Sequence, residues 1–281
     1  MYCKRDDSNE MMTAKQNPSK GRLTIRVAGS TLSFSLDKGD ATSGTHVAYE
    51  DYPVNNGISM AANLREAFKM ERIKWQTGKA QLLVGTKVLM MPLEQFAERD
   101  AEALYRHAFP SEQKAVVVWN VLADLNAIAL FSVNKDLRMV VTDHFDDVKV
   151  VHLMTPVWRA LHQRSYTGHR QKLYCYFHDK QMDVFAFRQN RFKFCNVFDT
   201  NRTNDSLYYL LSTWKELGLQ AESDELHIAG EPAEPALLKQ QLRRYLQNVY
   251  FINPTAEFNN APITQIEGLP FDLMTLYTRG R

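Results

Sequence analysis

KLYCYFHDKQMDVFAFRQNRFKFCNVFDT, residues 172–200, carries most of the architectural information in this chain. Leu173, Cys175 and Phe177 alternate with Tyr174 and Tyr176, the period of a strand. His178-Asp179-Lys180-Gln181 is a short polar turn, and a second strand runs from Asp183 to Phe187. Gln189-Asn190 turns the chain into a third strand, Phe192 to Val197. A helix follows, with Leu207, Leu210, Leu211, Trp214 and Leu217 on one face and Gly218 as its stop. Leu226-His227-Ile228-Ala229 is a short strand ending at Gly230, Pro235 opens a helix through Leu246, and Val249 to Ile252 is a strand. A last helix spans Phe271 to Tyr277 and is expected to pack back on the body.

The same opening occurs nearer the N-terminus. Leu23, Ile25 and Val27 alternate with Thr24 and Arg26, Ala28-Gly29-Ser30 turns the chain, and Leu32, Phe34 and Leu36 alternate again. A loop over Lys38–Gly44 leads to a helix with Met60, Ala61, Leu64, Ala67 and Phe68 on one face. Strands are expected at Gln81–Val84 and Lys87–Met91, and Pro92 is expected to open a helix carrying Leu93, Phe96, Ala97, Ala101, Leu104 and Tyr105. Val116–Trp119 and Ala127–Phe131 read as buried strands, Asn134–His144 as a helix, Val148–His152 as a strand and Thr155-Pro156 as a helix start. Residues 165–170 connect two lobes, so the expected division is a disordered tail over 1–20, one lobe over 21–168 and another over 169–281.

Bulk properties narrow the function classes. The chain has 281 residues, 44% hydrophobic, with 34 basic and 32 acidic side chains and a net charge of +2. That balance gives no strong field for nucleic acid or anionic lipid. Cys3, Cys175 and Cys195 form no Cys-x-x-Cys pair, so neither a disulfide scaffold nor a zinc ribbon is indicated. The charged N-terminus leads into no apolar run, and no stretch of about 18 apolar residues occurs, so a cytoplasmic protein without a spanning helix is expected. No Gly-x-x-x-x-Gly-Lys loop is present and no Ser or Cys sits in a nucleophile motif.

Two lobes that each open with a β-hairpin and continue as strand–helix–strand resemble the actin-like ATPase superfamily, in particular its pilus-assembly and cell-division members. The chain is also similar to an uncharacterised Bacteroidetes family with that fold. The resemblance covers roughly residues 22–281. It implies an α/β, two-lobed actin-like (ribonuclease H-like) fold, each lobe a mixed sheet opening with a β-hairpin and flanked by helices. In that superfamily two glycine-bearing hairpin turns hold phosphates through backbone N–H groups, and strand acids hold Mg²⁺ or the attacking water. A Gly-Gly turn near the end flanks the adenosine.

This sequence departs from that pattern. At the first hairpin the acidic position falls on Arg26, with Ala28-Gly29-Ser30-Thr31 as the turn. At the second it falls on Tyr176, and His178, Asp179 and Lys180 replace the glycines. The second family acid matches Asp183, and one glycine, Gly230, remains at the adenosine turn. The resemblance therefore makes Arg26, Gly29, Ser30, His178, Lys180, Asp183 and Gly230 the candidate nucleotide- or anion-binding residues, with no catalytic residue and no metal ligand. Arg for Asp reverses the charge that metal-assisted phosphoryl transfer needs. No cofactor is expected, since the motifs do not support ATP with Mg²⁺.

Each candidate has a plainer reading. Arg26 is read first as a strand residue facing solvent or paired with a carboxylate, and His178-Asp179-Lys180 as a solvated turn tip. Asp183 stabilises a turn on this view. His144, Asp146 and Asp147 read as a helix end rather than a metal cluster. Arg159, Arg164, Arg170, Lys172, Arg188, Arg191 and Lys193 read as solvated basic edges before they read as an RNA-binding face. The expected function is a non-catalytic actin-like protein acting through a protein partner, self-association included. A nucleotide sensor without hydrolysis and a nucleic-acid-associated factor are the alternatives, the last disfavoured by charge. No membrane partner is expected.

Overall fold

The computed structural model describes residues 21–39, 47–73, 77–112, 115–166, 169–189 and 191–279. The expected tail at 1–20, much of the Lys38–Gly44 loop, Gly168 in the lobe connection and Asn190 in the hairpin turn lie outside the described residues.

Strand alternation at the start produces a meander: β1 (Leu23–Ala28), β2 (Thr31–Asp37) and β3 (Val47–Tyr52), each pair antiparallel. Helix α1 (Met60–Ala67) starts at Ser59, whose hydroxyl accepts from the Ala62 N–H at 3.2 Å and so caps an otherwise unpaired donor. Strand β4 (Lys79–Gly85) then lies parallel to β1. An excursion follows: β5 (Val88–Pro92), α2 (Glu98–Ala108), β6 (Val116–Leu122), β7 (Ala127–Val133) and α3 (Lys135–His144). Strand β8 (Asp147–His152) returns beside β4, and α4 (Thr155–Ser165) leaves the sheet. The first sheet has the order β3-β2-β1-β4-β8, and the excursion forms a separate antiparallel sheet, β5-β7-β6.

The second half repeats the plan. Strands β9 (Lys172–His178), β10 (Gln181–Arg188) and β11 (Arg191–Asp199) form an antiparallel meander. After α5 (Thr203–Glu216), β12 (Glu225–Gly230) pairs parallel with β9. Helix α6 (Pro235–Leu242) crosses to β13 (Asn248–Phe251), and the chain ends through α7 (Pro254–Glu257) and α8 (Phe271–Arg279). The order β11-β10-β9-β12-β13 reproduces that of the first sheet, with α6 in place of the five-element excursion.

Parallel strands are covered on both faces, which is why β1 and β9 are buried along their lengths. One face of the first sheet, through Ile25, Leu32, Phe34 and Leu82, packs on Leu64 of α1 and Val141 of α3. One face of the second, through Leu173, Cys175 and Val184, packs on Leu210 of α5 and Leu238 of α6. Between the sheets a third core joins Trp158 and Leu161 of α4 to Leu273 of α8, with Tyr174, Tyr176 and Phe185 on one side and Leu83 on the other. The two sheets thus share a buried boundary, and their opening hairpins meet at its edge.

Two expectations fail locally, and one strand has no expectation to match it. Pro92 ends β5 and precedes a single 3-10 turn, and the helix begins only at Glu98, because the Phe96 backbone stays extended. Leu104, expected on the apolar face of α2, is 40% exposed, whereas Ala101 and Tyr105 are buried. Strand β3 has no counterpart in the sequence reading; Glu50 and Asp51 interrupt its apolar pattern.

Candidate functional site

The two hairpin turns sit against each other. A Cβ on Gly29 would lie 3.7 Å from the Asp179 carbonyl oxygen, so the tips are at van der Waals distance. Gly29 has φ +53, which suits the first central residue of a tight hairpin. Asp179 and Lys180 both have positive φ, +47 and +62, a two-residue turn built without glycine.

Arg26 projects from β1 into this junction and is 3% exposed. Its Nε donates to Asp272 Oδ1 at 3.0 Å and its Nη2 to Asp272 Oδ2 at 2.9 Å, a bidentate pair with α8. The same Nη2 donates to Asp179 Oδ2 at 2.7 Å, and Nη1 approaches Thr31 Oγ1 at 3.1 Å. The Thr31 hydroxyl donates to Asp179 Oδ1 at 2.5 Å. Asp272, fully buried, also accepts from the Tyr176 hydroxyl at 2.8 Å. Burial works against the charge on Arg26, but Asp272 and Asp179 outweigh it and hold the guanidinium firmly protonated.

Asp179 extends the network into the second half. His178 Nδ1 donates to Asp179 Oδ2 at 2.9 Å and Nε2 donates to Asp183 Oδ2 at 2.7 Å. Both ring nitrogens face carboxylates, so both carry hydrogens. Burial lowers the His178 pKa, yet the bonds to Asp179 and Asp183 prevail and raise it to about 9. The Asp179 carboxyl is pushed up by burial and more strongly down by His178 and Arg26, ending well below the usual carboxylate range. Two cations, Arg26 and His178, thus meet three carboxylates, Asp179, Asp183 and Asp272.

The structure corrects two plain readings. Arg26 does not face solvent; of its two alternatives only the carboxylate pairing occurs. The second turn is not a solvated tip at His178 and Asp179, whose side chains are buried, and only Lys180 is exposed. Nor does that turn present itself to an anion, since its carboxylate is directed at Arg26. Asp183 is tied to the turn through His178. Gly230, with φ +77, lies where a Cβ would come 2.0 Å from the Phe177 carbonyl, so close strand packing alone requires glycine there. It borders an open cleft of about 830 Å³ between the halves. Ser30 is exposed at the first turn. Sequence reasoning missed Thr31, Asp272 and the central part played by Asp179. The last had a signal in the resemblance, which puts Arg26 at a strand-acid position and Asp179 at a turn-glycine position, a charge-complementary pair. Asp272, 246 positions from Arg26, had none.

Several of the charged groups singled out in the sequence have structural partners elsewhere in the fold. Arg159, Arg164, Arg170 and Arg191 pair with Asp124, Glu257, Glu225 and Glu94. Asp147 pairs with Arg22, and the His144 ring stacks on Phe68 at 4.2 Å. Among the described residues no group of three or more His, Cys, Asp or Glu side chains is arranged to hold a metal, and no helix is long and apolar enough to cross a membrane.

A family model for proteins of unknown function, DUF3822, matches residues 9–249. The chain belongs to the DUF3822 family. No curated protein matches this DUF3822 chain. Among solved structures it is similar to a Bacteroides thetaiotaomicron protein described as having an actin-like ATPase fold and unknown function, at 24% identity and TM-score 0.75, covering 92% of this chain and 96% of that one. It is also similar to a chain of the PilM–PilN type IV pilus biogenesis complex, at 12% identity and TM-score 0.59, covering 94% and 99%. The fold of this DUF3822 chain is therefore the two-lobed actin-like one. Arg26 stands where the actin-like resemblance puts the first strand acid, and Asp179 brings negative charge between the turns.

Proposed function

We propose that this DUF3822 chain is a non-catalytic actin-like protein that works by binding other proteins, with ATP hydrolysis lost. The observation that carries the reading is the Asp179 carboxylate between the hairpin turns, 2.7 Å from Arg26 Nη2 and 2.5 Å from the Thr31 hydroxyl. In the actin-like resemblance that is where phosphates are held. A carboxylate there repels a polyphosphate, and expelling it would leave buried Arg26 and His178 short of counter-charge. Metal-assisted transfer would also need an anionic ligand where Arg26 stands.

With the chemistry gone, the fold's remaining capacity is recognition. Support comes from the similar chain in the PilM–PilN complex, a protein of this fold that belongs to an assembly. Cys175 and Cys195 are both unpaired thiols, which suits the reducing cytoplasm. The purified protein incubated with Mg²⁺ and ATP is expected to release phosphate no faster than buffer. Turnover that vanishes in Asp183→Ala would overturn the proposal.

A further inference from the structure

The second hairpin turn borders a further pocket, of about 270 Å³, which Arg26 does not line. It lies where β11 gives way to α5, with the turn after β12 as another wall. We propose that this pocket binds the C-terminal carboxylate of a partner protein. The inference rests on the reading that this chain works by binding other proteins, and it names the group that is recognised.

The pocket holds a hydroxyl that the protein leaves unused. Thr200 is 8% exposed and lines it. The Thr200 N–H donates to the Lys180 carbonyl at 3.0 Å, which fixes the residue beside the turn. Its hydroxyl makes no hydrogen bond with any described residue, and the oxygen is not sealed in the core, so a ligand in the pocket reaches it. A hydroxyl held in this way is both a donor and an acceptor awaiting a partner.

The start of α5 supplies more donors. Arg202 and Ser206 line the pocket, and no side chain caps the helix. The Thr203 and Asn204 N–H groups have no acceptor among the described residues, and the helix dipole adds positive potential there. Lys180 and Arg202 line the pocket, are exposed, and have no ion-pair partner among the described residues.

Charge and size select the anion. Against those two cations stands Glu231, which is exposed and has no ion-pair partner among the described residues; the Asp179 carboxylate is already held by Arg26 and His178. Of the neighbouring acids, Glu234 accepts from the Thr203 hydroxyl at 2.7 Å, and Asp205 does not line the pocket. An excess of one positive charge matches a carboxylate and disfavours a polyphosphate. The volume lies below the roughly 300–1,000 Å³ that pockets for whole small ligands occupy, so it suits one terminal residue, with the rest of the chain leaving through the mouth. Pro232 and Ala233 give a small apolar wall for that residue's side chain, and the Asn201 amide can pair with its peptide group. Capture of a carboxylate by backbone N–H groups is a recurring way of reading a chain end.

Amide NMR spectra of the protein, titrated with an acetylated tetrapeptide ending in alanine, test this. The free-acid peptide is expected to give saturable shifts at Lys180, Thr200, Thr203 and Asn204, and the same peptide amidated at its C-terminus none. The double variant Lys180→Gln, Arg202→Gln should bind the free acid about tenfold more weakly, and Thr200→Val about fivefold more weakly. Lys180 and Arg202 are exposed and valine keeps the shape of threonine, so both variants should fold, which their thermal midpoints check. No saturable shift, equal shifts from the amidated peptide, or undiminished affinity in the double variant would overturn the inference. Acetylalanine binding as tightly as the tetrapeptide would overturn the assignment to a protein chain end, since the ligand would then be a free acid. Release of phosphate from Mg-ATP, measured separately, would instead overturn the non-catalytic reading beneath it.

Discussion

Arg26 organises the junction between the two hairpins. Burying a guanidinium is costly, and its two carboxylates and Thr31 offset that cost only while all remain in place. Arg26→Met would leave Asp179 and Asp272 as buried anions without their main counter-charge. Denaturant unfolding should show a loss of about 3–5 kcal/mol, and a loss below about 1 kcal/mol would mean the pair is incidental. His178 gives a pH signature. Its native pKa of about 9 exceeds the unfolded value of about 6.5, so the native state binds the extra proton between the two. That stabilisation is fully present below about pH 6.5 and disappears as pH rises through about 9. Its size is on the order of 3 kcal/mol. Comparing the urea midpoint at pH 6.5 and pH 9.5 in wild type and His178→Gln should show the larger fall in wild type. Parallel falls would place the proton elsewhere.

The hairpins carry the next level of organisation. In the first, glycine occupies the left-handed position of the turn; in the second, Asp179 and Lys180 occupy it with side chains attached. Asp179 is held there by Arg26, Thr31 and His178, but Lys180 is exposed and its conformation is imposed by the turn. Lys180→Gly creates the Asp-Gly pair that such turns favour and should raise stability by about 0.5–1 kcal/mol in thermal or urea unfolding. A decrease would show that the lysine has a role in the folded state. Much of this architecture was legible in the sequence. The alternation of Leu23–Val27 and Leu173–Phe177, the helix near Asn134–His144 and the stop at Gly218 follow from local physics. What was illegible is equally specific. Strand β3 is an edge strand with acids on it, so its apolar period is weak. Proline's preference for a first helical turn also fits the end of a strand, as at Pro92. The Arg26–Asp272 pair joins the first strand to the last helix, and no local pattern encodes such a contact.

The whole molecule is two sheets of identical strand order sharing a core through α4 and α8. One half carries an inserted three-stranded sheet where the other has a single helix. The halves are joined at their hairpin tips by buried ion pairs, whereas the exposed Arg191–Glu94 pair farther along contributes little by comparison. The two hairpin turns grip each other through Arg26, Thr31 and Asp179, and under the proposed function this contact leaves no place for phosphates. A calorimetric titration of the protein with Mg-ATP, read together with its thermal midpoint, tests that claim most directly. The account predicts no saturable heat and no change in midpoint at millimolar nucleotide. A saturable isotherm, with stabilisation approaching about 2.7 kcal/mol at a hundredfold excess over the dissociation constant, would contradict it.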